Sequence, residues 1–307
     1  MNWNGVYPAL TTKFYVDGTI DYETFLHNVD AQLEAGVDGI ILGGTLGESS
    51  VLTIAEKQEL TRRTIGHVAG KVPVILNITE GATHEAIARA REAEAIGAGG
   101  LMLLPPMRYA ADQREVVAYF RAVAESTSLP IMIYNNPVDY KTQVTLAMFD
   151  ELLELENIQA VKESTRDVSN VTRMINRYGD RIKLLCGVDT LALESLVLGA
   201  HGWVAGLVCA FPRETVAIHR LVQAGRIDEA LGIYRWFLPL LELDIHPKLV
   251  QYIKLAEQQV GLGTEHVRPP RLPLIGEERE RIMAIINEGI RNRPVLPTLN
   301  KNEHAIR

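Results

Sequence analysis

Short apolar runs alternate with longer amphipathic stretches along this chain, and the alternation repeats eight times. The apolar runs are 5–14, 39–43, 72–77, 99–104, 130–135, 158–162, 182–187 and 202–206. They are continuously apolar rather than alternating, and Gly, Pro or Asn bounds them, as expected of parallel strands covered on both faces. The stretches between them carry helical spacing. Residues 22–37 place Phe25, Val29, Leu33 and Val37 on one face. Residues 55–68 follow Thr53 as an N-cap, with Glu56 in the first turn, and 84–96 follow Thr83 as a second cap. The stretches 113–124, 146–155, 168–178, 191–198 and 213–223 complete the pattern.

Eight strand–helix units without a central linker predict an α/β protein of the closed (β/α)8 TIM-barrel type rather than an open doubly wound sheet. No G-x-G-x-x-G follows the first run, which weakens a dinucleotide-binding alternative. Three more helical stretches, 226–240, 248–260 and 277–292, follow the eighth unit. The expected organisation is a barrel over 1–225, a helical extension over 226–292 and a flexible tail over 293–307, where Pro294 and Pro297 stand.

At 307 residues the chain is long enough for one such barrel, and its 47% apolar and 22% charged composition is that of a globular protein. No apolar run reaches the roughly 18 residues of a membrane span, and the first residues lack a secretory pattern. A cytoplasmic protein that does not contact membranes is expected. The net charge of −7, with scattered basic residues, argues against nucleic acid and for a small-molecule substrate. Cys186 and Cys209 are too few for a disulfide framework or a structural zinc site, and both lie in apolar stretches as expected core residues.

Barrel enzymes carry their chemistry at the C-terminal ends of the strands. Two lysines stand there, Lys13 and Lys162. Lys162 ends an apolar run, so burial would lower its pKa and expose a neutral, nucleophilic amine. An ordinary ion pair, for instance to Glu163, is the competing reading. Lys13 precedes a turn at Asp17-Gly18, where solvent exposure is expected. A lysine that forms a Schiff base needs a proton shuttle. Tyr134 ends the neighbouring run and could reach it, although a packed phenol would read the same way. The glycine-rich turn Gly43-Gly44-Thr45-Leu46-Gly47-Glu48-Ser49 could hold a carboxylate or phosphate on its backbone, or could be an unliganded turn. Trp203 is expected in the core and His246 as a capping or interface residue.

Three elements in this order, Gly44-Thr45-Leu46-Gly47-Glu48, Tyr134-Asn135-Asn136-Pro137 and Val161-Lys162-Glu163-Ser164, resemble the dihydrodipicolinate synthase/N-acetylneuraminate lyase family. The resemblance extends over about residues 5–275 and includes Gly187-Val188-Asp189 and Arg271-Leu272-Pro273. It implies a barrel with C-terminal helices that assembles as a homotetramer (a dimer of dimers) or a homodimer, and it implies no metal or organic cofactor. By position it makes Lys162 the Schiff-base lysine, Tyr134 the proton shuttle and Thr45 a hydroxyl relay. Backbone at Thr45 and Leu46 would hold a substrate carboxylate, and Gly187 and Val204 would line the pocket. Gly44, Asn136 and Tyr140 complete the expected substrate contacts.

The departures from the family pattern bear on the substrate. Leu46 replaces a hydroxyl that many members carry. In the synthase branch a cation stands two positions after the Tyr-Asn-x-Pro proline, where this chain has Asp139; Lys141 lies two positions further on. The tyrosine that a neighbouring subunit supplies in the synthases aligns with Arg108, next to Tyr109. The segment 134–140, with the stretch 236–275, resembles members that degrade modified 2-oxo acids. The expected activity is deamination of 1-pyrroline-4-hydroxy-2-carboxylate to 2-oxoglutarate semialdehyde and ammonia, in hydroxyproline catabolism. A 2-keto-3-deoxy sugar-acid aldolase or dehydratase and dihydrodipicolinate synthase are the alternatives within the same chemistry. A catalytically silent barrel that binds a 2-oxo acid is the alternative outside it.

Overall fold

In the computed structural model of the chain, which describes residues 1–106 and 109–298, eight parallel strands close into one barrel. The strands are β1 (Gly5–Pro8), β2 (Ile40–Leu42), β3 (Val74–Ile78), β4 (Gly100–Leu103), β5 (Ile131–Asn135), β6 (Ile158–Glu163), β7 (Lys183–Cys186) and β8 (Gly202–Ala205). Each pairs with its sequence neighbour, β1 pairs with β8, and a parallel bridge between Ala9 and Ile41 joins β1 to β2. The fold is the (β/α)8 TIM barrel that the alternation predicts.

The helices are α1 (Tyr22–Ala35), α2 (Ile54–Val68), α3 (Thr83–Ile96), α4 (Gln113–Ala124), α5 (Pro137–Tyr140), α6 (Leu146–Leu152), α7 (Ser169–Tyr178), α8 (Ala192–Val197) and α9 (Pro212–Gln223). The extension adds α10 (Ile227–Leu241), a 3₁₀ turn (Glu242–Ile245), α11 (Leu249–Gln259) and α12 (Gly276–Arg291). Thr53 and Glu56 form the capping box at the start of α2. Thr83 is the first helical residue of α3 rather than its cap, since Ala82 occupies the cap position without a side-chain bond. No helix among the described residues is long and apolar enough to cross a membrane.

Alternation along the strands sorts their side chains into two layers. On β5, Ile131 and Ile133 pack outward under the helices, while Met132 and Tyr134 point into the barrel. On β6, Val161 packs outward and Ala160 inward, which also turns Lys162 inward and Glu163 outward. The first strand is much shorter than its apolar run: bridges to the other barrel strands stop at Ala9, and 10–14 continue as a buried segment across the barrel end, where Phe14 bridges antiparallel to Ile20. Apolarity marks burial, whereas only pairing makes a strand.

That segment corrects the expectation for Lys13. Its side chain is fully buried, and its ammonium donates to Glu257 of α11 at 2.6 Å and to the Thr11 hydroxyl at 2.6 Å. The turn at Asp17-Gly18 does not expose it, because α11 folds back over the segment and brings the carboxylate. An apolar core cluster runs without interruption from barrel residues such as Phe211 to Phe237, Ile253 and Ile286 of the extension.

Candidate active site

Lys162 and Tyr134 are register partners on adjacent strands, so both reach the C-terminal mouth of the barrel at the same height. The lysine Nζ lies 4.0 Å from the centroid of the Tyr134 ring. Only 8% of Lys162 is exposed, and no carboxylate among the described residues lies within ion-pair distance. Glu163 is not its partner: it faces outward and accepts from the Thr165 backbone (2.8 Å), Asn170 (3.0 Å) and Asn135 (3.4 Å). Burial therefore pushes the lysine pKa down, only partly offset by the nearby Tyr140, Asp244 and Asp189. A desolvated amine beside a phenol is equipped to add to a carbonyl or imine carbon.

Gly187, directly after β7, leaves room for this lysine. A β-carbon there would lie 2.6 Å from Lys162 Cγ and 2.1 Å from Ser164 Oγ, so any side chain would displace both. Ser164 Oγ is buried beside the lysine without a hydrogen-bond partner.

Three hydroxyls form a chain beside the amine. Thr45 Oγ1 and Tyr140 Oη share a hydrogen bond of 2.8 Å. The Tyr140 and Tyr134 rings meet edge to face at 5.4 Å, and each phenol perturbs the ionisation of the other. Burial raises the Tyr134 pKa to about 12, so this phenol stays protonated at neutral pH and can give a proton and take it back. Asn136 donates to the Tyr134 hydroxyl at 3.2 Å and to Asp139 at 2.7 Å, while its carbonyl oxygen caps the short helix α5. That helix is what carries Tyr140 inward. It was not foreseen from the sequence, although the Asn136-Pro137 start is a helix signal.

The turn after β2 is held at several points. The Thr12 hydroxyl donates to the Gly47 carbonyl (2.7 Å) and Asn77 to the Gly43 carbonyl (3.0 Å). Glu48 adopts the left-handed conformation (φ 52°), and its buried carboxylate accepts from Lys254 of α11 at 2.6 Å and from the Arg268 N–H at 3.2 Å. Among the described residues no hydrogen bond uses the backbone N–H of Thr45 or Leu46. Two donors beside an exposed hydroxyl suit an incoming carboxylate.

One cavity of about 490 Å³ collects Gly44, Thr45, Leu46, Tyr134, Asn136, Tyr140, Lys162, Gly187 and Val204, so every expected site residue meets there. Arg166, Asp244 and His246 line it as well, and the sequence reading did not assign them to the site. Arg166 has a left-handed backbone (φ 62°) just after β6. Asp244 arrives from the 3₁₀ turn of the extension. His246 lies two residues before Lys248, the N-cap of α11, and does not cap that helix as expected; its Nδ1 accepts from the Lys248 N–H at 3.1 Å and its ring stacks on Tyr252. Lys141 turns away and donates to the Val138 carbonyl, Tyr109 is exposed, and Arg108 lies outside the described residues. Trp203 is fully buried and donates to Asp189 at 2.8 Å, as a core residue.

The chain is similar to known proteins along nearly its whole length. The model of the dihydrodipicolinate synthetase family matches residues 2–289. A 4-hydroxy-tetrahydrodipicolinate synthase of Halalkalibacterium halodurans is 31% identical over 291 residues, which is 94% of this chain and 97% of that protein. One from Exiguobacterium sibiricum is 33% identical over 276 residues, covering 89% and 92%. The solved structure of the 4-hydroxy-tetrahydrodipicolinate synthase from Methylacidiphilum fumariolicum SolV matches with a TM-score of 0.90 at 30% identity, covering 94% of this chain and 96% of that one.

Proposed function

The chain belongs to the dihydrodipicolinate synthetase family of class I, Schiff-base lysine lyases, and on that premise we propose that Lys162 forms the Schiff base. The observation that carries this reading is a buried amine without an ion-pair partner, 4.0 Å from the ring of Tyr134. In this reading Tyr134 shuttles protons and Thr45 relays them through Tyr140, while the free N–H groups of Thr45 and Leu46 hold the substrate carboxylate. Gly44, Asn136, Gly187 and Val204 shape the rest of the pocket.

The proposed substrate is 1-pyrroline-4-hydroxy-2-carboxylate. The neutral amine adds to C2 of the cyclic imine, and the C2–N ring bond breaks as the ring nitrogen takes a proton from Tyr134. The resulting iminium acidifies the C3 proton, and loss of that proton and the C4 hydroxyl gives a conjugated iminium. Tautomerisation puts an imine at C5, and its hydrolysis releases ammonia. Hydrolysis at C2 frees Lys162 and 2-oxoglutarate semialdehyde. Overall, substrate and water give the semialdehyde and ammonia. Asp139 at the cavity favours this compact substrate over one with a second carboxylate. Arg166 favours the opposite reading, a synthase or a sugar-acid aldolase, because it supplies a cation at the rim. A homotetramer and a cytoplasmic location are part of the proposal; solution mass measures the former.

Borohydride reduction in the presence of the hydroxy imine, and separately of pyruvate, is expected to add the corresponding mass to the wild type and none to Lys162→Ala. Ammonia release from the hydroxy imine supports the deaminase. Turnover of pyruvate with aspartate semialdehyde, without ammonia release from the imine, replaces it with the synthase. Absence of any adduct on the wild type overturns the Schiff-base assignment.

A further inference from the structure

Asp244 brings a carboxyl from the helical extension to the cavity, and the proposed reaction needs an acid at the C4 hydroxyl. Hydroxide is a poor leaving group, so expulsion of the C4 hydroxyl requires protonation as the C–O bond breaks. Tyr134 and its hydroxyl chain stand against the lysine nitrogen, where protons are exchanged at C2 and C3.

The carboxyls around the cavity differ in what holds them. Asp189 is fully engaged: it accepts from Trp203 Nε1 at 2.8 Å, the Leu207 N–H at 2.9 Å and the Gly206 N–H at 3.2 Å. Those bonds fix the turn after β8. Asp139 accepts from Asn136. Asp244 has no hydrogen bond or ion pair among the described residues, and its carboxyl points at the backbone of Gly206. A β-carbon on Gly206 would lie 2.4 Å from Asp244 Oδ1 and 3.1 Å from Leu46 Cδ1. Gly206 thus does for Asp244 what Gly187 does for Lys162. The two glycines follow β8 and β7, adjacent strands, and the two functional groups they make room for line the same cavity. C4 lies two bonds from the carbon that Lys162 would hold, in the cavity that Asp244 also lines.

Resting on the deaminase reading, we propose that Asp244 is a catalytic residue, the general acid that protonates the departing C4 hydroxyl. In this step the C2–C3 enamine pair moves to form the C3–C4 double bond, and the iminium re-forms on Lys162. The C4–O bond breaks, and the oxygen leaves as water with the Asp244 proton. The carboxylate that remains recovers a proton from the water that later hydrolyses the C5 imine. The charged groups facing Asp244 are Asp139 from α5, Lys162 from β6, Arg166 after β6 and Asp189 after β7. Burial and the nearby Asp189 and Asp139 push the Asp244 carboxyl up, against the pull of Lys162 and Arg166, a direction that favours its acid form.

Two substrates test this. Asp244→Asn should release ammonia from 1-pyrroline-4-hydroxy-2-carboxylate about 10²–10⁴-fold more slowly than the wild type, the span of general acid catalysis. With the 4-fluoro analogue the same variant should turn over within a few-fold of the wild type, because fluoride leaves with little protonation. Borohydride trapping of pyruvate by the variant at the wild-type rate would show that the fold and Lys162 are intact. Asp244→Glu should recover part of the activity on the hydroxy compound. Equal losses on both leaving groups, or no loss on the hydroxy compound, would overturn the assignment. Failure of the wild type itself to release ammonia from the hydroxy imine is a separate result: it removes the deaminase reading and this step with it.

Discussion

At the scale of single residues, the hydroxyl chain makes the sharpest demand. Tyr140 bridges Thr45 and the Tyr134 ring, so in the proposed relay the hydroxyl and not the bulk of this side chain is what matters. Tyr140→Phe keeps the ring contact and should lower kcat by about 10²-fold, the lower end of proton-transfer effects, with KM changed much less. Steady-state ammonia release measures both, and an unchanged kcat would remove Tyr140 from the relay. The residue types of this site were legible in the sequence: Lys162, Tyr134 and Thr45 all stand at strand ends. Tyr140 was legible as a residue of the site but not as the middle hydroxyl, because that depends on the four-residue helix turning it inward. Asp244 and Arg166 were not legible at all. Nothing in the local pattern of a charged residue says which cavity it will face.

At the scale of elements, alternation along β5 and β6 places lysine and phenol together, but the turn after β2 depends on a distant helix. Glu48 in its left-handed conformation is held by Lys254 of α11, both side chains fully buried. Burial lowers the Lys254 pKa to about 8 even beside this carboxylate, so the charged form depends on its partner. Removing one member of a buried pair costs about 3–5 kcal/mol, because the other charge stays desolvated. Lys254→Met should show a loss of that size in urea unfolding. Adding Glu48→Gln should restore part of it, whereas two additive losses would mean that the pair does not act as a unit. The Lys13–Glu257 pair takes its carboxylate from the same helix. It misled the sequence reading because a lysine near a turn is ordinarily solvated; only packing of α11 supplied its carboxylate.

At the scale of the whole molecule, the chain's end is clamped to its beginning. Arg268 donates to Glu56 of α2 through both Nη atoms (3.0 and 2.9 Å) and to the Gly18 carbonyl at 2.6 Å. The Arg268 bonds bring the Glu56 carboxyl down from 4.5 to about 2. A carboxyl with a depressed folded-state pKa stabilises the fold above about 4.5, and that contribution is lost as the pH falls toward 2, where the unfolded chain binds the extra proton. Arg268→Ala should therefore lower the melting temperature at neutral pH and flatten its fall between those two values. Thermal unfolding across that range measures this, and parallel curves for both proteins would show that the clamp contributes nothing.

By itself, the sequence determined the barrel, its eight units and three residues, Lys162, Tyr134 and Thr45, that the structure brings to one cavity. Those follow from local regularities: apolar runs that must be covered on both faces, helical spacing between them, and side chains that alternate along a strand. Only the tertiary structure decided which charges are buried and what faces the cavity. Lys13 and Lys254 find carboxylates more than 200 positions away, and Asp244 reaches the barrel mouth from beyond its last strand. Burial and electrostatic partnership are properties of the packed chain, since a desolvated charge takes its energy from every element around it.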